Sequence, residues 1–219
     1  MSKVIVILAP EVFADKIVHL AGHDISDWQI HTFNSIDELI ALFRQEKIDL
    51  LLSFATGVIV PSWILEQPGL TALNLHAASP EYPGRDPHHF AVYEQAARYG
   101  ATLHFMVEQV DAGPIVDVEW VEVEKDAFPI DLLKKANEAA LDLLRKYLPD
   151  LLQGKSLQAN SDCIWQGVKR SRKDFLELCR VGSDTSETEF QKRQKACQMP
   201  GYGNLHTVIH GKRFMIESG

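Results

Sequence analysis

The chain has 219 residues, 46% of them hydrophobic and 24% charged, with a formal net charge of -8 at pH 7. That is enough apolar sequence for one sizeable core with a small appendage, and it excludes a low-complexity or disordered chain. The acidic total argues against nucleic acid as the main partner, because phosphate binding needs a basic face.

The first predicted element is Val4-Ile5-Val6-Ile7-Leu8, a continuous apolar run of the kind buried in a parallel strand. It is far too short to span a bilayer. Pro10 suits the first turn of a helix, and Val12, Phe13, Ile17, Leu20 and Ala21 recur at helical spacing until Gly22. Trp28 to Phe33 is a second strand. Ser35 caps a helix reaching about Arg44, Ile48 to Phe54 is a third strand, Pro61 to Leu65 a short helix, and Leu70 to Leu75 a fourth strand. This β-α-β-α-β-α-β order predicts an α/β fold: a doubly wound, mostly parallel, Rossmann-like sheet with helices on both faces.

Residues 77–87 are rich in Pro and Gly and read as a loop. His88 to Arg98 is a predicted helix, Ala101 to Val107 and Ile115 to Val123 are strands, and Phe128 to Leu152 is a long amphipathic helix ended by Gly154. A boundary there gives a catalytic domain over 1–155 and a small extension over 156–219. The extension reads as two helices, about 168–180 and 186–197, and a hairpin around His210-Gly211. Its apolar residues Val208, Ile209, Phe214 and Ile216 make a homodimer the expected assembly. The basic run Lys169, Arg170, Arg172, Lys173 reads as a solvated helix face.

Several chemistries lack their motifs. No GxGxxG follows the first strand, no GxxxxGK[ST] is present, and Gly-x-Ser-x-Gly is missing. Cys163, Cys179 and Cys197 form no CxxC pair, so neither zinc nor a redox dithiol is expected. Their odd number, with no signal sequence, predicts a reducing cytoplasm. His88 and His89 are adjacent on a helix and point about 100° apart, which disfavours a shared metal.

What remains is Asn74-Leu75-His76 and Asp111-Ala112-Gly113-Pro114-Ile115. Asn74 and His76 are two apart at the end of a strand, so both project from one side. In such sheets ligands sit beyond the carboxyl ends of the strands. An amide, an imidazole and a carboxylate suit acyl transfer through a tetrahedral intermediate: one polarises a carbonyl, one handles a proton, one orients and charge-balances the ring. Asp111 beside His76 should favour the imidazolium.

With Pro80-Glu81-Tyr82-Pro83-Gly84, Ala101-Thr102-Leu103-His104-Phe105-Met106 and Val110-Asp111-Ala112-Gly113-Pro114-Ile115-Val116, these residues resemble the folate-dependent formyltransferases. That superfamily includes the glycinamide ribonucleotide, methionyl-tRNA and sugar-nucleotide N-formyltransferases. The resemblance runs from about Asp49 to Val116, and more loosely over 1–155. It implies catalytic roles for Asn74, His76 and Asp111, and 10-formyltetrahydrofolate as one-carbon donor with no metal. Phe54, Thr56, Gly57, Val58 and Ile59 match the loop lining the pterin pocket, together with Val110 and Asp111. Thr102 and His104 match residues that support the site.

The chain departs from the family after His76, where His-Ala-Ala-Ser-Pro is one residue shorter than the usual loop. Gly57 also stands where many members carry Arg. The end of the chain, with Met199-Pro200-Gly201-Tyr202-Gly203 and the hairpin, looks more like the sugar and tRNA enzymes than the glycinamide ribonucleotide enzyme. The expected acceptor is therefore a small-molecule amine, foremost an amino-sugar nucleotide. The alternatives are glycinamide ribonucleotide, methionyl-tRNA, or a different class: a formyl-folate hydrolase or a non-catalytic folate-binding relative. The hydrolases usually carry an extra N-terminal domain, whereas here the first strand starts at Val4.

Overall fold

A computed structural model describes residues 2–25 and 27–216. Six strands form one sheet in the order β2-β1-β3-β4-β5-β6, with β1 (Lys3–Leu8), β2 (Trp28–Phe33), β3 (Leu50–Phe54) and β4 (Thr71–His76) parallel. β5 (Arg98–Phe105) and β6 (Ile115–Glu122) are antiparallel to their neighbours. β1 is buried along Val4 to Leu8 and β3 along its whole length, as continuous apolar runs require when both faces of a strand are covered.

One face packs on α1 (Glu11–Ala21) and α5 (Pro129–Leu152) through Ile5, Ile7, Leu73, Leu75, Leu103, Ala140, Leu144 and Leu148. The helical spacing of Leu132, Ala136, Ala139, Ala140, Leu143 and Leu144 keeps one stripe of α5 on the sheet over about 36 Å. The other face packs Val4, Val6, Leu8, Leu51 and Ala72 against α2 (Ile36–Phe43) and α3 (Ser62–Leu65). Ser35 caps α2 by accepting the Asp37 N–H. Pro10 sits one residue outside α1, at its N-cap, rather than in its first turn.

Side chains alternate across a strand, so Leu73 and Leu75 enter the first cluster and Ala72 the second. Asn74 and His76 share the Ala72 face, and they lie where the α2–α3 layer gives way to an open cavity. This parity makes the top of β4 a site instead of core.

Helix α4 (Pro87–Tyr93) is shorter than the sequence pattern implies. Gln95 takes a left-handed φ of 57° and Arg98 already belongs to β5. Beyond α5, helices α6 (Arg172–Leu178) and α7 (Glu187–Ala196) close over α4, sharing a buried cluster of Phe90, Phe175, Leu178, Cys179, Cys197 and Leu205. His89 Nδ1 lies 2.5 Å from the Ala196 carbonyl oxygen. After the two-residue strands β7 (Gln198–Met199) and β8 (Tyr202–Gly203), the chain ends in the hairpin β9 (His206–Ile209) and β10 (Lys212–Met215). Val208, Ile209, Phe214 and Met215 are exposed there, whereas Ile216 packs on the α6–α7 cluster. No helix among the described residues is long and apolar enough to cross a membrane.

Candidate active site

The antiparallel register sets His104 directly opposite Asn74, and their side chains meet at 3.1 Å between Asn74 Nδ2 and His104 Nε2. A β-bulge at Leu103/His104 shifts the β5–β6 register at this residue, a device that re-aims a side chain. His104 Nδ1 lies 2.9 Å from the Phe105 carbonyl, so that nitrogen carries the proton and Nε2 accepts from the Asn74 amide. One Asn74 N–H is thereby fixed, and the second is left to a ligand in the cavity.

The connection after β5 carries Asp111 back over both histidines. Its Oδ1 lies 3.5 Å from His76 Nδ1 and 3.7 Å from His104 Nε2, and its Oδ2 accepts the Gly84 N–H at 2.9 Å. The Asp111 backbone is left-handed, φ 50°, a conformation aspartate tolerates better than most residues. Two residues on, a Cβ at Gly113 would stand 1.8 Å from the Phe105 carbonyl oxygen, so the motif's glycine is the only residue that lets this loop close onto β5.

His76 donates from Nε2 to the Tyr82 carbonyl at 3.0 Å, which leaves Nδ1 facing Asp111. Burial lowers the pKa of the ring, and this outweighs the pull of Asp111, so His76 is held neutral rather than as the expected imidazolium. At Asp111, burial pushes the carboxyl up. Attraction to His76 and the hydrogen bond from the Gly84 N–H outweigh it and bring the group to about 2. The pair at neutral pH is a neutral imidazole beside an ionised carboxylate.

These groups line one cavity of about 640 Å³. Thr56, Gly57, Val58 and Ile59 form part of its wall with Val110 and Asp111, and Thr56 donates to Asn34 Oδ1 at 2.7 Å. Phe54 does not join them: it is fully buried and packs edge-on to Phe13 at 4.7 Å. Its register partner is Leu75, so it shares the core face, while Ser53, opposite Asn74, faces the cavity. Thr102 lies beneath the site and donates to the Ala78 carbonyl at 2.8 Å, tying down the loop after His76.

Two contributions were missed from sequence. Trp165, beyond the long helix, donates its indole N–H to the Gly113 carbonyl at 2.7 Å and stands edge-on to His104 and His76, with centroids 5.0 and 5.8 Å away. A tryptophan in an otherwise polar stretch was its only signal. The basic run is a solvated helix face only in part: Arg172 and Lys173 are exposed on α6, Lys169 and Arg170 precede that helix, and Lys169, Arg170 and Arg172 line the cavity. The His88 and His89 rings lie 4.5 Å apart, and the described residues hold no group of three or more His, Cys, Asp or Glu able to hold a metal ion.

The family model for formyl transferases matches residues 26–148. Methionyl-tRNA formyltransferase of Bacillus thuringiensis subsp. konkukian is 39% identical over 139 residues, which cover 63% of this chain and 44% of that protein. The match thus spans less than half the length of that relative. Among solved structures, a sugar N-formyltransferase from Shewanella sp FDAARGOS_354 superposes with a TM-score of 0.81 at 18% identity, covering 100% of this chain and 97% of that one. HypX from Aquifex aeolicus in complex with tetrahydrofolic acid has a TM-score of 0.69 at 14% identity, covering 96% of this chain and 36% of that one. With more than half of its length matched by the family model, and the same α/β architecture beneath the match, this chain belongs to the formyl transferase family.

Proposed function

We propose that the chain is an N-formyltransferase that moves a formyl group from 10-formyltetrahydrofolate to the amine of a small molecule, an amino-sugar nucleotide. The observation that carries this reading is the convergence of Asn74, His76 and Asp111 on one cavity. Thr56 to Ile59 and Val110 form the neutral wall against which the pterin rests. The tetrahydrofolic acid complex of HypX supports the donor, and the Shewanella structure, which matches this chain along its whole length, supports the acceptor.

In this mechanism the neutral amine attacks the formyl carbon, and negative charge gathers on the formyl oxygen. The free Asn74 N–H meets that oxygen, already oriented by His104 and so without reorganisation. The Gly84 N–H holds Asp111 in place, beside neutral His76, which is itself tied to Tyr82. Asp111, ionised and buried, takes the proton from the attacking nitrogen, directly or through a water. The carbon–nitrogen bond to the folate then breaks, and the proton passes to the leaving nitrogen. Residues 1–155 act as the catalytic unit and 156–219 as an extension that completes its cavity. The exposed hairpin residues pair two copies into a homodimer.

The test is release of tetrahydrofolate from 10-formyltetrahydrofolate, followed by absorbance, with and without amines. Release that requires an amino-sugar nucleotide supports the reading. Release without amine identifies a hydrolase, and binding without release a non-catalytic relative. The identity to a methionyl-tRNA formyltransferase favours tRNA as a second acceptor, so methionyl-tRNA belongs in the same screen. Asn74→Ala is expected to lower kcat by on the order of 10²–10³.

A further inference from the structure

We propose that Arg85, Lys169, Arg170 and Arg172 form a phosphate site that holds the acceptor by a diphosphate while its amine reaches Asn74. This assignment rests on the transferase reading and adds which residues hold the acceptor's diphosphate.

The cavity is electrically two-sided. Its lining from 53–60 and from 104–111 contains no lysine or arginine. All four cations come from the turn before α4 and from the stretch leading into α6. A chain of net charge -8 has gathered positive groups along one wall of this cavity, against its overall sign. The wall without cations is apolar at Val58, Ile59 and Val110 and carries the carboxylates of Glu108 and Asp111, which suits a planar heterocycle, and the cationic wall suits an anion.

That wall is built, not a loose surface cluster. The Arg170 main chain donates to the Pro83 carbonyl at 3.0 Å and accepts from the Arg85 N–H at 2.8 Å. A Cβ at Gly84 would stand 2.2 Å from the Arg170 carbonyl oxygen, so the two segments touch only because residue 84 is glycine. Lys169 Nζ reaches the Val110 carbonyl at 2.7 Å. The cations are therefore locked, through main chain, to the loops that carry Gly84 and Asp111.

Their charges are only loosely matched. Arg170 meets Glu94 at 3.3 Å and Arg172 meets Asp86 at 3.4 Å, and both pairs are open to solvent. Exposed pairs of this kind contribute little and exchange readily for a better anion. Among the described residues Lys169 bonds only a carbonyl, and Arg85 makes no ion pair. Guanidinium forks match phosphate oxygens two at a time. His88, on the same wall, has Nδ1 buried with no partner among the described residues, as expected where a ligand completes the set.

Binding of inorganic pyrophosphate to the full chain, measured by calorimetry at low salt, tests the site without requiring turnover. Arg85→Ala/Arg172→Ala should weaken pyrophosphate binding at least tenfold while tetrahydrofolate binding is retained. Arg85→Lys/Arg172→Lys should recover part of the loss, which excludes simple misfolding. Unchanged pyrophosphate affinity in the alanine variant overturns the proposal. So does binding of a γ-linked triglutamate at these residues in preference to pyrophosphate, because the wall would then serve the folate tail. If pyrophosphate binds as expected and no amine is formylated, the phosphate site stands and the transferase reading falls.

Discussion

The top of β4 and the stretch from Trp165 to Arg172 border the same cavity, yet they are held by different means. Asn74, His76 and His104 are placed by strand register, with ladder bonds on either side and a buried cluster beneath. The later stretch reaches the site through a few main-chain bonds, one indole and one lysine. A sheet can fix reacting groups closely because every neighbouring residue restrains them. A strap that crosses by main chain leaves its side chains free to vary. On the proposed function, chemistry and acceptor choice fall on separately adjustable parts of one pocket.

Variants can probe this division, and the largest effect belongs to the loop that carries Asp111 over the sheet. Asp111→Asn keeps an acceptor for the Gly84 N–H but removes the charge. It should lower kcat by about 10²–10⁴ and cost about 2 kcal/mol of stability at pH 7, because the carboxyl titrates at about 2 in the fold against 3.8 in the unfolded chain; single-turnover rates and urea unfolding read the two effects. Gly113→Ala comes next. The added methyl overlaps the Phe105 carbonyl, so the loop must move, and a loss of about 3 kcal/mol is expected in urea unfolding, with activity falling alongside.

Acid should test the layer where α4 meets the extension. Burial, with a smaller push from His89, lowers the His88 pKa from 6.5 to about 3, and burial lowers His89 and His76 too. Below pH 6.5 the unfolded chain takes up protons that the folded chain refuses, so stability is full above that pH and declines as the pH falls towards 3. His88 alone accounts for about 2 kcal/mol at pH 5. Urea midpoints at pH 7.5 and 5.0 would show it, and His88→Phe should flatten the slope by about one proton. Trp165→Ala tests the strap most gently. It removes the edge contacts with both imidazoles and one bond to Gly113, and should cost about tenfold in kcat, roughly 1.4 kcal/mol of barrier, with nearly unchanged KM for the folate.

Much of the sheet was legible from sequence because its strands are unmixed apolar runs, and because Asn74-Leu75-His76 obeys the two-residue period that puts both polar groups on one face. The same parity shows why Phe54 was misplaced: it stands opposite Leu75, so it shares the core face, and proximity to the pterin loop in sequence does not carry it across the sheet. The end of α4 was misread because Ala96 and Ala97 continue a helical pattern that Gln95 has already broken with a left-handed turn. The strap was illegible for a different reason. Its bonds join residues 52 to 87 positions apart through main-chain atoms, and no local composition records them.

The bond between Asn74 and His104 also bears on ageing of the molecule. Hydrolysis of that one amide would replace a donor by an acid without changing its shape. The ring opposite, its other nitrogen committed to Phe105, could keep contact only by picking up an extra proton. A change of less than one dalton would then reverse the polarity offered to an incoming carbonyl, and intact-mass measurement would scarcely register it.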